Sequence, residues 1–275
     1  MRPFAQVDVF GETACSGNPV AVVLDAEGMS DKEMQRFARW TNLAETTFVL
    51  PPTRADADYG VRIFTPVLEL PFAGHPTLGT CHAWLEAGGE ARRGSEIVQE
   101  CEAGLIRIRR EEDRLAFEAP PLVRSGPASA EDAAKVAAAL GVDPEEMLAV
   151  EWVDNGPGWI VALFESAERV LELRPGALDF DLGAAGFHPA GSPAAIEVRA
   201  WAPVNGLAAE DPVTGSLNAS LAQWLVGSGR LAAPYLAHQG TAIDRAGRIH
   251  VSQDPEGALW IGGRAETVIG GSASL

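Results

Sequence analysis

Three residues of the sequence carry groups that could move a proton: Glu45, His75 and Asp211. Glu45 follows Leu43 and Ala44, where a predicted helix gives way to a strand. A carboxyl group in an apolar, water-poor pocket has a raised pKa and can exchange protons near neutral pH. From the sequence alone a solvated loop glutamate is the commoner interpretation of Glu45, so its role depends on its neighbours.

His75 and Asp211 lie at corresponding positions of an internal repeat. Segments 61–85 and 198–221 both begin with Val-Arg and continue to Pro-Val. After a one-residue gap both contain Pro-x-x-Gly followed by Thr or Ser, and these residues come directly after His75 and Asp211. Several residue types in one register indicate a duplication. We therefore predict two lobes that share one active site, with His75 and Asp211 facing each other across it.

Each repeat predicts a strand that ends at a proline, a polar loop and then a helix whose first turn holds the second proline. Both helices are apolar nearly all round and are therefore predicted to be buried. Other predicted helices span 31–40 and 130–140, and short strands surround them at 20–24, 46–49, 105–109, 115–118, 160–164, 249–251 and 260–263. We predict an α+β fold of two pseudo-symmetric lobes, each a mainly antiparallel β-sheet or barrel wrapped around a central helix. The predicted lobes are 1–120 and 121–275, and pairing of the last strand with the N-terminal lobe is an open alternative.

The two predicted helix starts suggest how a substrate is held. A helix N-terminus carries unpaired N–H groups and a partial positive charge, which suit a small carboxylate. Two ordinary capped helices remain the alternative. Glu69 and Asn18 are weaker candidates, for which a role in burial or in a turn is as compatible with the sequence.

Bulk properties restrict the class of partner. The formal net charge of −17 argues against a nucleic-acid ligand, which would need a basic surface. No apolar run is long enough for a membrane span, and the N-terminal residues lack the apolar core of a signal peptide, so the expected location is the cytoplasm. The three cysteines have no metal-like spacing and are predicted to be reduced.

The sequence motifs do not indicate a metal site or a nucleotide-binding loop. The five histidines show no His-x-x-x-His or His-x-His spacing, so we expect no metal site and no metal hydrolase. The Gly-Pro-Gly segment at 156–158 fits a turn and lacks the spacing of a phosphate-binding loop.

Taken together, the motifs resemble those of the PhzF-like phenazine-biosynthesis isomerase family, which has the diaminopimelate epimerase-type fold. The resemblance runs nearly end to end and rests on segments 17–19, 42–46, 62–66, 69–77 and 210–216. It implies a cofactor-free isomerase that moves a proton on a small carboxylate, as in trans-2,3-dihydro-3-hydroxyanthranilate isomerase. It also implies a homodimer.

The resemblance assigns roles to residues that match the family motifs. Glu45 corresponds to the glutamate that carries the proton, and His75 and Asp211 to the residues that flank the substrate. Asn18 lies in a matching motif, and the backbone around Gly74-His75 and Gly215-Ser216 would hold the carboxylate. The chain departs from the family at Asn218 and its neighbours, where a histidine often follows the serine, and at Trp40, where a polar residue is frequent. Contacts to the substrate are therefore expected to differ.

Two alternatives stay open at this point. The first is an amino-acid epimerase or racemase on the same scaffold, although a two-thiol mechanism is disfavoured because Cys81 falls inside the predicted helix. The second is a small-carboxylate binding protein without catalysis. The combination of Glu45, His75 and Asp211 argues against the latter.

Overall fold

The computed structural model describes residues 1–204 and 206–275, which form two compact units. The first unit comprises Met1–Glu118 together with Gly262–Leu275, and the second comprises Ala119–Ile261. No helix of the described residues is both long and apolar enough to cross a membrane.

Eight strands and two α-helices make up residues 2–118 of the first unit. They are β1 (Arg2–Val9), β2 (Asn18–Val23), α1 (Asp31–Thr41), β3 (Glu45–Leu50), β4 (Tyr59–Phe64), β5 (Glu69–Leu70), α2 (Gly74–Glu86), β6 (Glu96–Cys101), β7 (Gly104–Arg110) and β8 (Leu115–Glu118).

The second unit continues with β9 (Arg124–Pro127), α3 (Ala130–Leu140), β10 (Ala149–Asp154), β11 (Ile160–Phe164), α4 (Ala167–Glu172), β12 (Leu182–Phe187), β13 (Ile196–Val204), β14 (Leu207–Asp211), α5 (Gly215–Gly227), β15 (Tyr235–Gln239), β16 (Gly247–Gln253) and β17 (Leu259–Gly263). Short 3₁₀ helices lie at Pro144–Glu146 and Thr241–Ile243. The last strand, β18 (Ala265–Ala273), belongs to the first unit and pairs antiparallel with β1.

Both units follow the same order of strand pairing. In the first, β1 pairs antiparallel with β2, β2 parallel with β3, and β3 antiparallel with β4. Strand β4 then pairs antiparallel with β5 and parallel with β6. In the second unit β10, β11, β12, β13, β14 and β15 repeat this series with the same directions. The predicted duplication and the mainly antiparallel α+β fold are therefore confirmed.

The helix that follows the repeated strands is buried in each unit, as predicted. Helix α2 packs on β1, β2, β3 and β8. Its closest approach is at Gly79, where a Cβ would collide with a methyl group of Val20 and lie 2.9 Å from one of Val9. Glycine is therefore required there for a helix to lie this near the strands. Helix α5 is buried along its first eight residues in the same way.

The helices differ in how their first turns are capped. The side chains of Ser30, Ser129 and Ser166 accept hydrogen bonds from the first turns of α1, α3 and α4. Among the described residues, no side chain caps the first turn of α2 or of α5. At α5 the residue in the capping position is Thr214, whose hydroxyl donates instead to Asp211. The two repeated helices therefore begin without the side-chain hydrogen bond from a capping residue that the other three α-helices have.

The predicted helices at 31–40 and 130–140 are both present. The first extends one residue beyond its predicted end, to Thr41. Helix α4 was not predicted, because its six residues are too few to show a helical period. It is nevertheless well placed, since Val170 joins the buried cluster around Ile160, Phe164 and Trp201.

Candidate functional site

The first unit brings Asn18, Glu45 and His75 together. Asn18 and Glu45 are the first residues of β2 and β3, which run side by side, and His75 is the second residue of α2. The Nε2 atom of His75 lies 3.2 Å from Oε2 of Glu45, and its Nδ1 lies 3.2 Å from Nδ2 of Asn18. Three of the predicted site residues thus form one contiguous group.

The imidazole of His75 is held in its neutral form. Burial lowers the pKa of His75 to about 3, against an opposing contribution from the backbone of Pro19. The contact with Glu45 is therefore not an ion pair at neutral pH. The side-chain amide of Asn18 suits either neutral tautomer of the ring, since an amide carries both a donor and an acceptor. Nε2 of His75 faces the carboxyl group of Glu45.

A buried aspartate supports the loop that carries Asn18. Both carboxylate oxygens of Asp8 accept from the backbone N–H of Gly17, at 3.1 and 3.0 Å. A Cβ at Gly17 would collide with the carbonyl of Val9, so only glycine allows the loop to close on β1. Asp8 was not predicted from the sequence. The available signal was a charged residue between Val7 and Val9 in an apolar strand.

A buried glutamine holds the start of α2. Gln99, on β6, donates from Nε2 to the hydroxyl of Thr77 at 3.0 Å and accepts from the hydroxyl of Tyr59 at 3.0 Å. Thr77 in turn donates to the carbonyl of Ala73 at 2.9 Å. These bonds fix the turn that carries Gly74 and His75.

The second unit positions Asp211 with an equivalent glutamine. Gln239, on β15, donates from Nε2 to the carbonyl of Asp211 at 3.1 Å and to the hydroxyl of Thr214 at 2.9 Å. Its Oε1 accepts from the backbone of Thr214 and from the side chain of Asn218. The hydroxyl of Thr214 donates to Oδ2 of Asp211 at 2.6 Å. Neither Gln99 nor Gln239 was identified from the sequence, since a buried glutamine in a strand has no characteristic spacing.

Each unit also contains an arginine–glutamate pair in the hairpin before its central helix. Arg62 binds Glu69 through two hydrogen bonds of 2.7 and 2.6 Å, and Arg199 binds Glu210 at 2.9 and 2.6 Å. The hydrogen bond with Glu69 makes the largest contribution to the raised pKa of Arg62. Glu69, a weak candidate from the sequence, is thus occupied with fixing β4 to β5. Glu210 does the same immediately before Asp211.

Ser216, predicted to bind substrate, has two partners in the second unit. Trp159 donates from Nε1 to its hydroxyl at 3.1 Å, and Asn155 donates to its carbonyl at 2.9 Å. These partners flank the Gly-Pro-Gly segment, which forms a turn because Asp154 accepts from the N–H groups of Gly156 and Gly158 at 2.7 Å. Gly215 is the first residue of α5 and is buried. Asp211, Gly215 and Ser216 therefore lie around one helix start in the second unit, as Asn18, Gly74 and His75 do in the first.

Two curated proteins are similar to the chain over nearly its whole length. The chain is 34% identical over 267 residues to trans-2,3-dihydro-3-hydroxyanthranilate isomerase of Pseudomonas aeruginosa, covering 94% of this chain and 92% of that protein. It is 35% identical over 293 residues to antisense-enhancing sequence 1 of Schizosaccharomyces pombe, covering 99% and 98% of the two chains.

The fold is likewise that of a solved relative. The crystal structure of the Bacillus anthracis phenazine biosynthesis protein of the PhzF family superposes with a TM-score of 0.81 at 21% identity, covering 100% of this chain and 99% of that one. Residues 7–271 match the family described as phenazine biosynthesis-like protein (PhzC-PhzF). The predicted family, fold and enzyme class, an isomerase, are thereby confirmed. The chain belongs to the phenazine biosynthesis-like (PhzC-PhzF) family.

Proposed function

We propose that the protein is a cofactor-independent isomerase that moves a proton between two carbons of a small cyclic carboxylate. The activity resembles that named for its relative, trans-2,3-dihydro-3-hydroxyanthranilate isomerase. The observation that carries the proposal is the contact of Glu45 with a neutral, buried His75. A carboxylate next to a neutral imidazole can accept a proton without a second charged group in contact with it.

Glu45 is the proton carrier in this proposal. Its carboxylate takes a proton from one carbon of the substrate, and the electrons of that C–H bond enter the adjacent unsaturated system. The same carboxyl group then returns the proton to a second carbon, so that no atom is lost and no external oxidant is needed. A side chain that is mostly buried suits this shuttle because little water competes for the proton.

His75 and Asn18 are proposed to orient Glu45. The amide of Asn18 contacts Nδ1 of His75, and Nε2 of His75 lies beside the carboxylate of Glu45. Asp211 is proposed as a further acid–base or positioning group. The hydroxyl of Thr214 donates to the Asp211 carboxylate, and Gln239 donates to the Asp211 backbone carbonyl. These two hydrogen bonds hold Asp211 in one orientation, which a catalytic group needs.

The substrate carboxylate is proposed to bind backbone N–H groups around Gly74-His75 and Gly215-Ser216. The uncapped first turns of α2 and α5 support this, because the other three α-helices begin with a serine cap. Helix starts bind anions through their unpaired N–H groups and partial positive charge. They also provide local donors in a chain with a net charge of −17.

The test is proton exchange in deuterated water with a panel of cyclic and amino carboxylates, followed by NMR. Positional transfer of a proton, lost in Glu45→Gln with binding retained, is the expected result. Full deuterium incorporation by Glu45→Gln would exclude Glu45 as the carrier. Exchange with inversion at one carbon would instead indicate an epimerase, and binding without exchange a binding protein.

We also propose that the protein is a cytoplasmic homodimer, as the family resemblance implies. Light scattering coupled to gel filtration measures the mass directly. A mass of one 29.0 kDa chain at micromolar concentration would refute the dimer.

A further inference from the structure

A second cluster of ionisable side chains lies in the second unit, apart from the residues assigned above. It consists of His188, Glu197 and His238. Glu197 and His238 are paired in register on the parallel strands β13 and β15. His188 follows β12 directly, and its backbone N–H donates to the carbonyl of Ala195. Three neighbouring strands therefore bring these side chains to one face of the sheet.

The three side chains approach one another closely. The Nε2 atom of His188 lies 3.2 Å from Oε2 of Glu197, and the rings of His188 and His238 are 5.5 Å apart. One ligand atom from each residue lies within 4.8 Å of the others. A tetrahedral metal at about 2.1 Å from its ligands needs ligand separations of about 3.4 Å. The His188–Glu197 pair, at 3.2 Å, already meets this spacing, whereas His238 would have to move closer to complete the site.

Burial of the carboxylate adds an independent reason for a ligand. Glu197 is 1% exposed. Among the described residues, 1–204 and 206–275, no donor lies in hydrogen-bonding position to its Oε1. A buried carboxylate is disfavoured unless it is paired or coordinated. Burial raises the pKa of the Glu197 carboxyl, against contacts with Thr241, His188 and Arg248 that favour its ionised form.

We propose that His188, Glu197 and His238 form a binding site for a divalent transition metal of the zinc class. Two imidazoles and one carboxylate suit Zn²⁺, Co²⁺ or Ni²⁺, whereas Mg²⁺ and Ca²⁺ need more oxygen ligands.

The site would join β12, β13 and β15 behind the residues that hold Asp211. Successive side chains of a strand point to opposite faces, so His238 and Gln239 lie on opposite sides of β15. Gln239 bonds to Asp211 and Thr214. A metal at His238 would therefore stiffen the strand from which Gln239 reaches them.

The experiment is calorimetric titration of the chelator-treated full chain with ZnCl₂, repeated with MgCl₂. We expect one zinc ion per chain in the micromolar range or tighter, no comparable magnesium binding, and a raised melting temperature with zinc. His238→Gln and His188→Gln should each weaken zinc binding by more than about tenfold. The matched control is His82→Gln, which removes a partly buried histidine of α2 in the first unit.

Two results would overturn the site: a wild-type chain that takes up no zinc, or zinc binding that His238→Gln leaves unchanged. Wild-type protein alone also provides a test if a variant fails to fold. Substitution with Co²⁺ should give the absorption bands of a low-symmetry site, and zinc should shift the imidazole nitrogen resonances of His188 and His238 but not those of His82.

Discussion

At the scale of single residues, the site depends on groups whose ionisation is set by burial. His75 illustrates this, because desolvation outweighs every favourable contact and holds the ring neutral. A neutral imidazole can orient the Glu45 carboxylate without forming an ion pair with it. The residues missed from the sequence, Asp8 and Gln239, act in a related way, since both are buried polar groups that fix backbone near the site.

The buried ring of His75 predicts a pH dependence of stability. Its pKa is about 3 in the folded chain, below an unfolded value near 6.5. The unfolded state therefore binds the proton more tightly, so stability is complete above the unfolded pKa and falls as the pH drops from about 6.5 towards 3. Between pH 6.5 and 5 the loss attributable to His75 is about 2 kcal/mol.

Urea unfolding of wild type and His75→Gln at a series of pH values measures this loss. The variant should have a shallower decline than wild type over that range. Parallel curves for wild type and His75→Gln would show that His75 is not the group responsible.

At the scale of elements, the prediction from sequence succeeded where the pattern was local and repeated. The apolar helices α2 and α5 were identified because their residues left no polar face, and α1 and α3 because they are amphipathic. The roles of Gln99 and Gln239 could not be predicted, since each joins a strand to a helix start more than twenty positions away. The His188, Glu197 and His238 cluster escaped motif analysis for the same reason: strand pairing, and not spacing along the chain, brings them together.

The close packing of α2 predicts a strong effect of one methyl group. Gly79→Ala should destabilise the protein by about 2–3 kcal/mol, because the added Cβ meets Val20 and Val9 inside a packed core. Gly227→Ala is the matched control, since a Cβ at the end of α5 meets nothing within 4 Å. Chemical denaturation of both variants gives the comparison. Equal stabilities would mean that α2 can move away from β2 without loss.

At the scale of the whole molecule, the chain begins and ends in the same unit. Strand β18 pairs with β1 from Arg2↔Ala273 to Val9↔Ala265, with one irregularity between Gln6 and Val7. The other edge of β1 pairs with β2, which carries Asn18. The last strand therefore contributes to the support of the candidate site, although it is the element most distant from Asn18 in sequence.

Removal of β18 should consequently destabilise the first unit. Deleting residues 264–275 would leave one edge of β1 unpaired, and exposed edges promote aggregation. We expect a lower melting temperature and loss of solubility, measured by circular dichroism and light scattering. Deleting only Ser274 and Leu275, which follow β18, is the control and should leave both properties unchanged. A truncated chain that melts like wild type would refute the support by β18.

If the substrate carboxylate binds the starts of α2 and α5 as proposed, the ligand supplies hydrogen-bond partners that the capping residues do not. Serines cap the N-termini of the other three α-helices. The capping residue of α2 is Ala73, and that of α5 is Thr214, whose hydroxyl donates to Asp211. A bound carboxylate would take the place of the missing caps, and binding to the folded state alone raises stability by RT ln(1 + [L]/Kd). The melting temperature thus becomes an assay for substrate identity. A library of organic acids can be ranked by thermal shift before any reaction has been observed.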